Sequence, residues 1–169
     1  IKRSIRFILM GIFDTGGIDE INAEDSNLDV TIDLRSSIIK DIENAGIFLS
    51  MHDTIKGGLS IPKGVIIENI VSGKGNDILY ENEFINKIDG GDGFDTVHLL
   101  SIKESYLMIR KDRDTILAIN VDNNNEKNIL KNIEKIVFNM NKIQTIADIQ
   151  NIQYPRNNRG YTITIKEKT

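Results

Sequence analysis

Three consecutive nonapeptides, SGKGNDILY (72–80), ENEFINKID (81–89) and GGDGFDTVH (90–98), run through the middle of this chain in one unbroken register. Position six reads Asp77, Asn86, Asp95, and position eight reads Leu79, Ile88, Val97. An ordinary turn needs one or two glycines or aspartates. GGDGFD packs three glycines and two aspartates into six residues and then returns to an apolar position, so the excess suggests a loop that wraps something. A turn that aims its carbonyls at one point needs positive φ, which glycine adopts without steric cost. The plainer alternative is a pair of glycine-rich hairpin turns whose aspartates cap their own backbone. Two such turns in register with a matching apolar ladder weigh against it.

The repeat resembles the G-G-x-G-x-D-x-U-x unit of the RTX parallel β-roll, in which the apolar U residue of a short strand points inward. In such a roll two nonapeptides make one coil, so turns 18 residues apart stack and the first repeat faces the third. The carbonyls of Ser72, Lys74, Gly91 and Gly93 with the carboxylates of Asp77 and Asp95 then offer six oxygens. That set suits Ca²⁺, which takes six to eight oxygen ligands, better than Mg²⁺ with its tighter octahedron. Ser72 stands where the first glycine of the unit belongs, and the middle repeat has Asn86 in place of a carboxylate. No standard nonapeptide ion site is expected on that side. The roll expected from these repeats is short, about one and a half coils, and needs capping structure at both ends.

Upstream, IPKGVIIENIVSGKGNDILYEN (61–82) resembles the lead-in to the β-roll of the serralysins, secreted bacterial zinc endopeptidases of the metzincin class. IFDTGGIDEINAE (12–24) resembles the segment that opens their C-terminal domain. The resemblance implies one calcium site from Asp14, the Gly16 carbonyl and Asp19, with its remaining ligands on a glycine-containing loop that precedes residue 1. It implies a second site from the Gly17 carbonyl, Asp19, the Ile66 carbonyl and Glu68. Solvated turn carboxylates are the alternative for Asp19 and Glu68. Residues 95–143 resemble the module that follows RTX repeats, through Tyr106, Ile109, Leu130, Asn132, Ile133, Glu134, Ile136 and Phe138.

Period-two alternation in YLMIR, TILAINV and KIVF predicts half-buried strands, with DNNNEK (122–127) as a loop between them. This module would cover the open end of the roll, where unpaired strand edges invite aggregation. ILKNIEKIV also has apolar residues at helical spacing, which leaves a helix open there. Residues 36–50 have helical periodicity, although the resemblance implies a loop and short strand. A short helix is expected in 142–153, a turn at 156–160 and a last strand at 161–165. FILMGIF near the N-terminus reads as a buried strand, since Asp14 closes it and no small-x-small cleavage site follows; a signal remnant is the other reading.

The fold expected is therefore all-β: a short parallel β-roll with flanking strands and a C-terminal β module. Its divisions are a serralysin-like domain with the roll (1–98), an RTX-flanking module (99–143) and a tail (144–169). A net charge of −4, with no isolated cluster of basic residues, argues against nucleic acid as partner. No apolar run approaches the roughly 20 residues of a membrane span. Cysteine is absent, which excludes disulfides and thiolate chemistry. The histidines, His52 and His98, belong to no H-E-x-x-H motif, so zinc peptidase chemistry is absent from these residues. His52 with Asp53 is a conceivable ligand pair but reads better as a loop histidine, and His98 is assigned no role. The lack of an initiator methionine reads as a fragment of a longer protein. Family resemblance implies a non-catalytic, calcium-binding domain of a secreted serralysin-like peptidase, exported by a type I secretion system and extracellular. It also implies an upstream catalytic domain, which would hold any zinc. The alternatives are an RTX domain of an adhesin, cytolysin or surface-layer protein, and a degenerate relic without calcium dependence.

Overall fold

The structure is a computed structural model that describes residues 8–37, 50–52, 57–123, 126–138, 142–145 and 161–163. Its regular elements there are β-strands, apart from a single 3-10 turn at Lys103–Ser105. Among these residues no helix is long and apolar enough to cross a membrane.

Strands alternate between two faces of a parallel roll. Face one holds β2 (Glu20–Asn22), β7 (Asn69–Val71), β9 (Lys87–Asp89) and β13 (Glu126–Lys131), hydrogen-bonded side by side in that order. Face two holds β3 (Val30–Asp33), β8 (Ile78–Tyr80), β10 (Thr96–Leu99) and β14 (Lys135–Phe138). The chain crosses from face one to face two through turns 23–29, 72–77, 90–95 and 132–134, which form the first edge of the roll. It leaves face two at Leu34, Glu81 and Leu100 and rejoins face one after Glu68, at Asn86 and at Glu126, which lie at the second edge. The central pairings, Asn69 with Lys87 and Ile78 with Thr96, have the 18-residue offset expected from the repeats.

Period-two alternation explains why this arrangement holds together. Alternate side chains along a strand point inward, which leaves one apolar position facing the core in the three-residue strands and one or two in the longer ones. Ile70, Ile88 and Leu130 from face one meet Ile32, Leu79, Val97 and Ile136 from face two, all of them buried. Leu79, Ile88 and Val97, the repeat's eighth positions, are fully buried. Each aliphatic side chain so buried contributes roughly 1.5–3 kcal/mol relative to exposure.

The roll has four coils, against the one and a half expected from the repeats. Residues 20–33 and 126–138 supply the outer coils, joined to the central ones across long excursions instead of tight turns. The second excursion folds as a hairpin. β11 (Tyr106–Arg110) and β12 (Thr115–Asn120) pair antiparallel and continue face one beyond β13, with β16 (Tyr161–Ile163) outside them. ILKNIEKIV is two strands separated by Asn132, whose φ of 51° breaks any helix. KIQT, β15 (Lys142–Thr145), is likewise a strand where a helix was expected, because it satisfies the backbone edge of β14. The remainder of that helix, the 156–160 turn and most of 36–50 lie outside the described residues. Of FILMGIF, Ile8–Gly11 forms β1, in a small parallel sheet with β6 (Gly57–Pro62) and β4 (Ser36–Ser37), but Phe13 beyond it is exposed and no part of a buried strand.

Leu79→Ala leaves a cavity between the two faces of the central coils. It is expected to lower the unfolding free energy by about 2–5 kcal/mol in urea melts, whether or not calcium is present.

Candidate metal centre

The first edge is a stack of turns in close backbone contact. Asp92 N–H donates to Gly73 O at 2.9 Å, and Lys74 N–H donates to Ser26 O at 2.9 Å. Gly91 and Gly93 have φ of 81° and 130°. A Cβ on Gly91 would lie 2.1 Å from Gly73 O, and one on Gly93 would lie 2.0 Å from Gly75 O. Glycine is therefore required there twice over, by backbone conformation and by the next turn. Ser72 is buried, and its hydroxyl donates to Gly90 O at 2.6 Å, tying one turn to the next. Lys74 points outward and is exposed.

The carboxylates form a ladder along this edge, each accepting the backbone N–H one coil earlier. Asp77 Oδ1 accepts from Val30 N–H (2.8 Å), Asp95 Oδ1 from Asp77 N–H (2.8 Å), and Glu134 Oε2 from Asp95 N–H (2.8 Å). The second oxygen of Asp77 faces Gly73 N–H at 3.3 Å. The corresponding oxygen of Asp95 has no partner, because Gly91 N–H is directed to Asp89 Oδ1. Asp95 is 0% exposed, so this is a carboxylate oxygen shut away from water and left unsatisfied. Burial, with Asp77, Glu134 and Asp89 nearby, pushes its carboxyl up to about 7 against the hydrogen bond from Asp77 N–H.

At the base of the second edge, the segment carrying Asp14, Gly16, Gly17 and Asp19 meets the lead-in to β7. Gly16 and Gly17 have φ of 119° and 145°, and Gly16 N–H donates to Asp14 Oδ2 at 2.9 Å. Asp19 N–H donates to Glu68 Oε2 at 2.9 Å, while Asp19 O accepts from Asn69 N–H. Asp19 Oδ2 is again buried without a partner. Desolvation, then Asp14 and Glu68, raises the Asp19 carboxyl above its ordinary range. Ile66 lies beside Glu68 in the same segment and is half-buried. The two histidines stand apart from these clusters: His98 stacks on Tyr80 at 4.3 Å, on the outside of face two, and β5 (Met51–His52) pairs with β3. Asp53 lies outside the described residues.

The model of the family described as peptidase M10 serralysin C terminal matches residues 2–168. This chain belongs to that family. It is also similar to the serralysin of Photorhabdus laumondii subsp. laumondii and to that of Photorhabdus luminescens, at 33% identity over 81 residues in each case. The match covers 48% of this chain and 15% of the length of either relative.

For a serralysin C-terminal chain the cation implied is calcium, and the residues present fit it. Two of the four buried side-chain atoms without a partner among the described residues are Asp19 Oδ2 and Asp95 Oδ2. Both belong to carboxylates predicted as ligands, and both are hard oxygens of the kind calcium takes. No three acidic or histidine side chains among the described residues form a cluster able to hold an ion by themselves. Any ion would rely on backbone carbonyls as well, which is what turns rich in positive φ can direct.

Sequence reasoning missed the outer members of the first edge. Turn 23–29 lies against Gly73 and Gly75 through Ser26 O and Asp29, and Asp29 Oδ1 accepts from Asn76 N–H at 2.8 Å. Asn132 O packs on Gly90, and Glu134 caps Asp95. Asp89, beside them, is held below the usual carboxylate range; burial works against this, but hydrogen bonds from Lys131, Asn132 and Gly91 N–H outweigh it. In both outer turns the available signal was an acidic residue just before an apolar alternation.

A carboxyl whose pKa is higher folded than unfolded favours the fold while protonated. The cation-free serralysin-type chain should therefore lose stability as pH rises from about 4 towards 7. Asp95→Asn should make this decline in melting temperature shallower; thermal melts in chelator across that range check it.

Proposed function

We propose that this chain is the calcium-binding, non-catalytic C-terminal domain of a secreted serralysin-like metallopeptidase, and that calcium drives its folding outside the cell. The observation that carries the reading is the buried, partnerless Asp95 oxygen within a stack of glycine turns. Carboxylates at Asp77, Asp89, Asp95 and Glu134 crowd this edge and repel one another. A divalent cation would relieve the repulsion, so binding energy becomes folding energy.

On this reading Ser72, Lys74, Gly91 and Gly93 contribute carbonyls to the ion held by Asp77 and Asp95. Asp14, Gly16, Gly17, Asp19, Ile66 and Glu68 hold ions at the base of the roll. Cytoplasm poor in calcium would leave the first edge unformed, which suits passage through a type I secretion system. Zinc chemistry would belong to an upstream catalytic domain. The second reading places the same roll on a non-peptidase secreted protein, since a roll serves many functions. An H-E-x-x-H in the parent reading frame would decide for the peptidase.

Calorimetric titration with calcium, with circular dichroism in parallel, tests the proposal. Saturable heat in the roughly 10⁻⁴–10⁻³ M range of extracellular modules, with a gain of β signal, is expected. Asp77→Ala with Asp95→Ala should remove the part of that heat due to the first edge and leave the part due to the base of the roll. Absence of heat and of spectral change in the unsubstituted chain would identify a relic roll and end the proposal.

A further inference from the structure

On the second edge only 81–86 is a short turn; 34–68 and 100–125 are long excursions. Excursions do not line up carbonyls around a point, so the backbone groups where they leave and rejoin the roll need other partners. Four buried side chains supply them. Asn82 Nδ2 donates to Ile67 O (2.8 Å) and Leu34 O (3.4 Å), at the two ends of the first excursion. Asn82 Oδ1 accepts from Phe84 N–H and from Asn86 Nδ2. Asn86 Oδ1 accepts from Asn82 N–H (3.0 Å), and its Nδ2 also reaches Glu68 O (3.1 Å). Asn128 Oδ1 accepts from Asn86 N–H (2.8 Å), which turns its Nδ2 towards Glu81.

Glu81, 2% exposed, completes the set. One oxygen accepts from Leu100 N–H at 2.7 Å and from the Tyr106 hydroxyl, and the other accepts from Asn128 Nδ2. The Tyr106 oxygen in turn accepts from Ser101 N–H at 3.3 Å. Leu100 N–H, the Tyr106 hydroxyl and Asn128 Nδ2 all donate to Glu81, while Glu126 on β13 adds negative charge nearby; the Asn128 amide is fixed in direction by the Asn86 N–H that its oxygen accepts. None of the buried partnerless atoms belongs to this network, in contrast to Asp19 and Asp95.

We propose that Asn82, Asn86, Asn128 and Glu81 form a cation-independent clasp that does by direct hydrogen bonding, on this part of the second edge, what an ion does elsewhere in the roll. The clasp fastens the ends of the first excursion to the central coil and locks the β11–β12 hairpin onto the roll through Tyr106. It meets the base of the roll through the Ile67 and Glu68 carbonyls and uses none of the ligand atoms proposed above, so it holds whether or not those sites bind an ion. Its consequence is that the centre of the roll keeps a folded nucleus without calcium, while the first edge waits for the cation.

Hydrogen exchange of the full chain resolves this, because the backbone amides of Asn82, Asn86, Leu100 and Ser101 donate into the clasp. The measurement is made at about pH 8, above the value of about 7 to which burial pushes the Glu81 carboxyl. These amides should be protected in chelator, at rates that calcium leaves unchanged. Glu81→Gln turns an amide N–H towards committed donors and should speed their exchange by about ten- to a hundredfold in both conditions. Tyr106→Phe, a milder change that removes one hydrogen bond, should affect Leu100 and Ser101 while the fold persists. Asn86→Asp should lower the melting temperature without adding a calcium ion in titration. Free exchange in chelator with protection only after calcium addition, no response to Glu81→Gln, or an extra ion bound by Asn86→Asp would each overturn the proposal. Failure of calcium to bind at all would show as absent heat with the clasp amides still protected, which separates the two proposals.

Discussion

Everything in the roll depends on turns stacking one coil apart, with a carboxylate in each reaching back to the backbone of the turn before. Asp77 holds Val30 N–H, Asp95 holds Asp77 N–H, and Glu134 holds Asp95 N–H. This sets the register of face two, since each held amide lies at or just before the start of a strand. It also concentrates negative charge along one line in a region from which water is excluded. Hydrogen bonds to backbone amides compensate part of that charge; the orphaned oxygen of Asp95 marks where compensation stops.

The two edges solve this problem differently. The first edge is built of short turns in backbone contact, where Gly91 and Gly93 leave no room for a side chain. Carboxylates recur there, and charge accumulates. The second edge begins with carboxylates, Asp19 and Glu68, and continues with carboxamides, Asn86 and Asn128, at the corresponding positions before β2, β7, β9 and within β13. Asparagine offers both a donor and an acceptor, so a stack of amides satisfies itself where a stack of carboxylates does not. Glu81 is the buried acid of that upper part, with Glu126 nearby, and three donors surround it.

The centre of this design was legible because its spacing is regular. Asp77 and Asp95 lie 18 residues apart, and their apolar neighbours fall on the inward positions. The outer coils use the same hydrogen bond across separations of 47 residues, Val30 to Asp77, and 39, Asp95 to Glu134. No fixed period survives such insertions. Turn 23–29 has no glycine, and Val30 occupies the place of the repeat's aspartate. In turn 132–134 an asparagine with positive φ takes the role of glycine, so composition gave no cue. The exchange of Asp for Asn at position 86 was visible as a departure from the repeat. That Asn82, Asn128 and Glu81 would gather around it depends on contacts between distant segments, which no local pattern encodes.

Whether a cation completes the first edge while the clasp does without one is decided by a crystal structure grown in calcium and repeated with a lanthanide to locate ions by anomalous scattering. Ion density is expected against the free oxygen of Asp95 between stacked turns, and none among Asn82, Asn86, Asn128 and Glu81. Ion density inside the clasp, or none along the first edge at saturating calcium, would contradict this expectation.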